Sequence, residues 1–425
     1  MILTRTAMSS TLYGLPDDVV IYKFTFLSVP DILRLRLTCQ RFNALTRLPI
    51  VWENAFELDI LANNYPFDTD DLDIEHRTCQ AYRLASRWLA DSPLTPKIET
   101  IFIGSPVYGI NFIPGRQHKF VLTVSVVGKR QRLLTIWDTT RQQKCSEWSS
   151  KDDVITRTAI NVDAESEAGV AVSLDRQQKI VLLHLDDNGI LHEINTIDMN
   201  LDAVTLTGDI LALSDMHNEF RTLIFNWKTS ARSYLEFDGD TDPGFCHHVV
   251  FTPSTILVDH TTYINLFKMP SILDGQTLTP IATHFFGLTE GSSVPIPAPN
   301  NPLSILIRPD DPGDDDSYSL ELYSLSSFPP ILTSKTPDRF INFVLGRRST
   351  AICVRDSDDY CHKTLIAAVF PGPLNATSEV RVREILCPLS NNWTPLDYDE
   401  DLGRIAFMSA KSGREPRDEL MILHI

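Results

Sequence analysis

The chain has 425 residues, enough for two or three domains, and a hydrophobic fraction of 43%, ordinary for a soluble protein. Its formal net charge of −17 and lack of a long basic cluster argue against nucleic acid or an anionic membrane as the main partner. No apolar run approaches the ~18 residues of a membrane span, and the N-terminus lacks a signal-peptide apolar region, so a cytosolic or nuclear location is expected.

The seven cysteines are scattered, with no Cys-x-x-Cys pair, and read as reduced thiols. The Asn375-Ala376-Thr377 sequon then carries no meaning, because glycosylation needs secretion.

The stretch from Tyr13 to Trp52 reads as three short helices. Leu15-Pro16 opens it, since proline suits a first helical turn. Asp17 and Asp18 place negative charge at the positive end of the helix dipole. Val20, Phe24 and Leu27 recur at i, i+4, i+7 along one face. Pro30-Asp31 restarts the chain, followed by Ile32, Leu33, Leu35 and Leu37 with Arg34, Arg36 and Arg41 interleaved. Thr38-Cys39 begins the third helix, carrying Phe42 and Leu45, and Trp52 closes the unit. About forty residues bury little apolar area alone, so an apolar face is expected to remain for binding.

This stretch resembles an F-box. The Leu-Pro start, the Asp-Ile-Leu-Arg-Leu-Arg-Leu run, the Cys-x-Arg-Phe block and the apolar-Trp ending carry the resemblance, over roughly a tenth of the chain. It implies docking on a Skp-type adaptor and, through it, on a cullin-based ubiquitin ligase. The family match and the apolar face assign Leu15, Pro16, Val19, Val20, Phe24, Leu27, Val29, Ile32, Leu33, Arg36, Cys39, Phe42 and Trp52 to adaptor binding. Three positions depart from the family pattern: Lys23 stands where an apolar residue is common, Phe42 where tryptophan is, and Thr38 where valine is. Lys23 would put a charge in the docking face, although its long stem lets the amine reach water.

Val51 to Asn63 reads as a further helix packed on the F-box, stopped at Asn64-Tyr65-Pro66. Thr69 or Asp70 can cap the next helix, which runs to about Ala90 with Leu72, Cys79, Tyr82, Ala85 and Leu89 as its apolar stripe. It reads as a rigid spacer, an ordinary packed helix, or both. Ser92-Pro93-Leu94-Thr95-Pro96 is a linker. The expected division is therefore F-box and following helix over 13–63, linker helix and proline linker over 64–97, and a third domain over 98–425.

From Ile98 the period changes from 3.6 to 2. Strand-like segments recur in sets that start near residues 108, 158, 202, 247, 294, 341 and 394. Each first segment is followed by a second and a third. A period of about 40–50 residues with several strands per unit is the signature of a β-propeller. The fold class is α+β multidomain, with helices followed by an all-β propeller. Seven sets imply seven blades, although six or eight fit the spacing too. The blades resemble WD repeats most clearly at Thr135-Ile136-Trp137-Asp138. The fifth inner strand is placed over Val294 to Asn300, where Pro295, Pro297 and Pro299 would remove donors from one edge, facing the central channel. The third strand of the seventh set ends the chain, so Ile98–Ile103 is expected to pair antiparallel with Leu420–Ile425 as the outer strand that closes the ring.

No Gly-x-Ser-x-Gly, His-Glu-x-x-His or phosphate-loop motif is present, so neither an enzyme nor a cofactor is expected. Cys353, Cys361 and His362 lack the spacing of a zinc site, and Cys353 reads as core. His247 and His248 are adjacent and point to opposite faces of a strand, so they read as structural. The run from Asp310 to Asp316 lacks EF-hand spacing and reads as a solvated loop, a cation site being the alternative.

By resemblance, the chain is the substrate-recognition subunit of an SCF-type ubiquitin ligase that holds an unknown protein target by its propeller. The alternatives are a propeller scaffold that binds the adaptor without ubiquitylation, and a propeller enzyme built on Asp163, Asp202, Asp397 and Asp399. For the target face, loops between second and third strands bring Lys129, Arg130, Arg132, Lys411, Arg414 and Arg417 into one basic sector. Such a sector suits an acidic or phosphorylated motif, while the plainer reading is solvated loop charge.

Overall fold

The computed structural model describes residues 14–67, 73–127, 131–150, 153–215, 221–237, 244–270, 275–297, 302–310, 319–336, 340–356, 363–389, 395–411 and 417–425. The chain divides into two compact units, Met1–Ala90 and Asp91–Ile425.

The first unit is helical: α1 (Asp17–Phe24), α2 (Val29–Arg36), α3 (Gln40–Leu45), α4 (Pro49–Ala55) running into a π-helical turn (Phe56–Leu61), and α5 (Ile74–Leu89). Pro30 and Pro49 sit in the first turns of α2 and α4, where no N–H is needed. The third helix begins at Gln40, and Cys39 caps it: its Sγ accepts the Phe42 N–H at 3.4 Å. Arg41 Nε donates to Asp17 Oδ1 at 2.8 Å, and the same guanidinium donates to the Leu15 carbonyl. The Cys-x-Arg-Phe block thus caps one helix and ties it to the start of another.

Val20, Phe24, Val29, Ile32, Phe42, Leu45, Val51, Trp52, Ala55 and Cys79 form one core. At ~1.5–3 kcal/mol for each large apolar side chain fully buried, this cluster is the main stabilising term of the unit. On α5 the buried residues are Thr78, Cys79, Ala81, Leu84, Ala85 and Trp88, while Leu89 is exposed. Of the stripe expected from sequence, Cys79 and Ala85 are buried, Tyr82 is half-buried and Leu89 is not part of it, while Leu72 falls outside the described residues. Positions 81, 84/85 and 88 are the i, i+3/i+4, i+7 set that Trp88 anchors.

The second unit is a seven-bladed β-propeller. Its inner strands are Val107–Phe112, Ile155–Ile160, Asp202–Thr207, Cys246–Phe251, Thr289–Ser293, Phe340–Leu345 and Leu396–Asp399. Each pairs antiparallel with a second strand, which pairs with a third. In the first six blades the ladder between inner and second strand slips at the same place, between Val107/Gly109, Ile155/Arg157, Ala203/Thr205, Cys246/His248, Thr289/Gly291 and Phe340/Asn342. A bulge repeated at one depth bends and twists each inner strand alike, as a closed ring requires.

The ring closes as the sequence predicts. Lys97–Phe102 is the outer strand of blade seven and pairs antiparallel with Arg417–His424, with Ile98 opposite Leu423 and Ile101 opposite Leu420. Two features differ from expectation. The inner strand of blade five is Thr289–Ser293, so the prolines follow it instead of lying in it. A strand paired along its second strand needs N–H donors that proline lacks. Blade three gains a fifth strand, Thr277–Leu278, contributed by the long connection inside blade four and paired in parallel with Tyr234–Leu235.

A polar tie crosses every blade boundary. Arg132 Nη1 donates to the Ile155 carbonyl at 2.5 Å, and the Ala203 N–H to Ser173 Oγ at 2.8 Å. Thr205 Oγ1 donates to the Val249 carbonyl at 2.9 Å, and His248 Nε2 to the Ser292 carbonyl at 3.1 Å. The Leu345 N–H reaches Ser293 Oγ at 2.9 Å, and Arg348 is bound to Asp401. Across the closure, the Phe112 N–H donates to Asp397 Oδ2 at 2.6 Å.

Candidate functional site

Two surfaces qualify. In the helical unit, the thirteen residues assigned to adaptor binding fall into two groups. Val20, Phe24, Val29, Ile32, Phe42 and Trp52 are buried within the unit. Trp52 Nε1 donates to the Thr46 carbonyl at 2.8 Å, and Phe24 and Phe42 meet edge to face at 5.7 Å. These side chains present no surface to a partner and act by holding the fold. Arg36 is also structural: it donates to the same Thr46 carbonyl at 2.8 Å, pairs with Glu75 and lies over the Trp52 ring. Pro16 is exposed, and Leu15, Val19, Leu27, Leu33 and Cys39 are half-buried, so these remain available.

Sequence reasoning missed the apolar residues that do face outward: Tyr22 (61% exposed), Phe26 (67%), Leu37 (86%), Leu48, Ile50, Leu58 and Leu61. Tyr22 on α1 and Phe26, in the turn that follows it, meet edge to face at 5.3 Å. Val19, Tyr22 and Lys23 follow the i, i+3, i+4 spacing on α1, on a face turned away from the buried Val20 and Phe24. The signal was in the sequence: α1 carries apolar residues on both faces, and one core can cover only one. Lys23 sits exposed on the outward face.

In the propeller, a recess of about 430 Å³ opens where the inner strands end. Phe112, Ile160, Val250 and Phe251 give it apolar walls, and Thr158, Thr205, His248 and Asp397 its polar groups. Val294, Pro295, Ile296 and Pro297 line one side, so the proline segment does face the channel, as irregular chain; Pro299 lies outside the described residues. Arg157 of blade two reaches across to blade four, donating to the Cys246 and His247 carbonyls at 3.0 and 2.8 Å.

Burial shapes the titration of groups at and near the recess. It lowers His248 to about 4 and raises Asp397 to about 6, where the Phe112 and Tyr398 N–H donors pull the other way. Burial also lowers His247, whose Nε2 lies 3.3 Å from Thr261 Oγ1, and takes His260 to about 4. Cys353 is fully buried, with its thiol held above the ordinary range by burial. Cys361 and His362 lie outside the described residues. Among the described residues, no group of three His, Cys, Asp or Glu could hold a metal ion.

The aspartates considered for an enzyme do not converge. Asp202 accepts from Thr156 Oγ1 at 2.5 Å across a blade boundary, and Asp163 caps a turn through the Glu165 N–H at 3.1 Å. Asp399 pairs with Arg404 at 3.0 Å. Only Asp397 lines the recess, and both its oxygens accept backbone N–H groups.

Of the basic target face, Lys129, Arg130 and Arg414 lie outside the described residues. Lys411 and Arg417 are opposite each other at the end of the last hairpin. Arg132 belongs elsewhere than expected: its guanidinium is engaged with the Ile155 and Thr156 carbonyls, stitching blade one to blade two. Asp310 is described, with its N–H on the Leu288 carbonyl at 2.8 Å; the rest of the aspartate run lies outside the described residues.

The fold defines a propeller protein. Among the solved structures that share it are the β-propeller domain of Cps50 (Swd1) from Myceliophteria thermophila and U3-55K. The first is 12% identical with a TM-score of 0.53, covering 78% of this chain and 99% of that one. The second is 10% identical with a TM-score of 0.51, covering 79% and 100%. At such identity the likeness is one of fold alone. No curated protein matches the chain. Residues 12–57 match the F-box-like family, so this is a chain with an F-box-like domain ahead of a seven-bladed, WD-repeat-like propeller.

Proposed function

We propose that the chain is the substrate-recognition subunit of an SCF-type ubiquitin ligase, working in the cytosol or nucleus. Its F-box docks a Skp-type adaptor, which joins it to a cullin, and its propeller holds the target protein. The observation that carries this reading is the pairing, in one chain, of an F-box-like domain with a propeller. The outward Tyr22–Phe26 face offers an adaptor the apolar anchor that interfaces centre on. The apolar recess of the propeller, with a few fixed polar groups, suits binding. The chain supplies no catalytic residue; it acts by raising the effective concentration of target lysines near the conjugating enzyme.

Immunoprecipitation of the intact protein under proteasome inhibition tests this. Adaptor and cullin should both be recovered, and both lost when Leu15 and Pro16 are changed to alanine. Recovery of neither from the intact protein refutes the reading. Adaptor without cullin replaces it with a scaffold role.

A further inference from the structure

Residues 91–96, which lead into the strand that closes the ring, run beside the outer strand of blade six, Arg381–Leu389. Leu94 is buried there, 4% exposed, and forms a parallel bridge with Ile385. Ser92 and Thr95, on either side of it in sequence, are exposed. Residues two apart on a strand share a face, so Arg381 and Arg383 point the same way. Both reach the segment. The Arg383 guanidinium donates to the Ser92 carbonyl, and Arg381 Nη1 lies 3.4 Å from Asp91 Oδ1. Arg381 Nη2 also donates to the Leu374 carbonyl at 3.2 Å, which orients its head group.

The segment answers these two cations with one carboxylate. The Asp91 side chain is 97% exposed, and a pair so open to water contributes little. Arg383, by contrast, is 7% exposed. Burial first, and the like charge of Arg381 second, lower its hold on the proton, and Asp91 opposes them. A dianion with several acceptor oxygens, hung from the residue whose carbonyl Arg383 already binds, would meet both guanidinium groups.

Ser92 is placed to carry one. It precedes Pro93, which biases it to extended backbone, the form in which a kinase reads its substrate. Thr95 and Thr279 are also exposed and also precede proline, but among the described residues no arginine is bound to either. We propose that Ser92 is a phosphorylation site for a proline-directed protein kinase, and that Arg381 and Arg383 receive the phosphate and pin residues 91–94 to blade six. In that step Ser92 Oγ bonds to the γ-phosphorus of ATP, the bond to the β-phosphate oxygen breaks, ADP leaves, and the hydroxyl proton passes to the kinase's base. The site does not depend on whether the F-box recruits an adaptor.

The test uses the full chain in two arms. With a mitogen-activated protein kinase and magnesium-ATP, mass spectrometry should find phosphate on Ser92 of the folded protein and none at that position in Ser92→Ala. In the second arm, phosphoserine is installed at position 92 during translation and titrated by phosphorus NMR. Its second ionisation should fall about one pH unit below that of the same chain unfolded in urea, an about tenfold stronger acid, because the arginines favour the dianion. Arg381→Gln with Arg383→Gln should remove that shift. Arg381→Gln alone changes the more exposed of the two side chains and should remove part of it, which decides the matter if the double variant unfolds. Three results overturn the proposal: Ser92 left unmodified in the folded chain, a phosphate that titrates as it does in urea, or a shift that survives loss of the arginine.

Discussion

Asp259 is a buried carboxyl in blade four whose hydrogen-bond donor is the Ser292 hydroxyl of blade five. Burial raises it from 3.8 to about 7, against the pull of that hydroxyl. A carboxyl raised in the fold contributes stability that is complete below its ordinary value and is lost as pH rises through about 7. His248 and His260, lowered to about 4, act in the opposite sense: their contribution is complete above 6.5 and is lost as pH falls through about 4. The two trends overlap below pH 6.5, so a difference measurement is needed. Asp259→Asn keeps the shape and removes the charge. Thermal unfolding should show the unmutated protein losing stability relative to this variant between pH 5.5 and pH 8. A constant difference across that range would show that Asp259 titrates normally. In the helical unit, the same residue-scale reasoning separates fold from surface. Phe24→Ala or Ile32→Ala should destabilise the unit by ~2–5 kcal/mol and lose the adaptor through unfolding. Tyr22→Ala with Phe26→Ala should lose the adaptor while thermal unfolding stays within ~1 kcal/mol. Lys23→Ile should leave adaptor affinity unchanged or raise it, as read by titration calorimetry.

At the scale of elements, the closing strand matters most. Lys97–Phe102 is joined to its sheet only through Arg417–His424, and Ile101 is buried against a core that also holds Leu420, Ile422 and Val121. A carboxylate placed there would be buried without a partner. Ile101→Asp should therefore lower propeller stability by several kcal/mol and expose the last strand to protease; full resistance would mean that the ring closes without it. The strand was legible because the last set of strands stops at the third and one unpaired segment precedes the first. The fifth strand of blade three was not legible. Thr277-Leu278 is two residues long, and nothing local distinguishes it from loop; its partner Tyr234-Leu235 lies some forty residues earlier.

At the scale of the molecule, the proposed division of labour makes the two surfaces separable. Changing Leu15 and Pro16 to alanine should abolish adaptor recovery while the propeller melts as before. Charge reversal at Arg130 and Arg414 tests the basic sector: if that sector reads the target, co-purified targets vanish while the adaptor stays. Arg132 is best left out of that set, since its loss would unstitch blades one and two.

The sequence by itself determined the F-box-like stretch, the propeller, its division into seven sets of strands, and the closure. Each of these rests on periodicity and order, which are properties of the chain alone. Only the tertiary structure decided which of two apolar faces on α1 is core, that the prolines of blade five lie beyond the strand, and that Arg132 and Asp202 are ties between blades. For α1, Arg132 and Asp202 the deciding partner is distant in sequence: Phe42 and Trp52 for α1, the Ile155 carbonyl for Arg132, and the Thr156 hydroxyl for Asp202. Periodicity shows that a face is apolar; what covers it depends on where the rest of the chain returns.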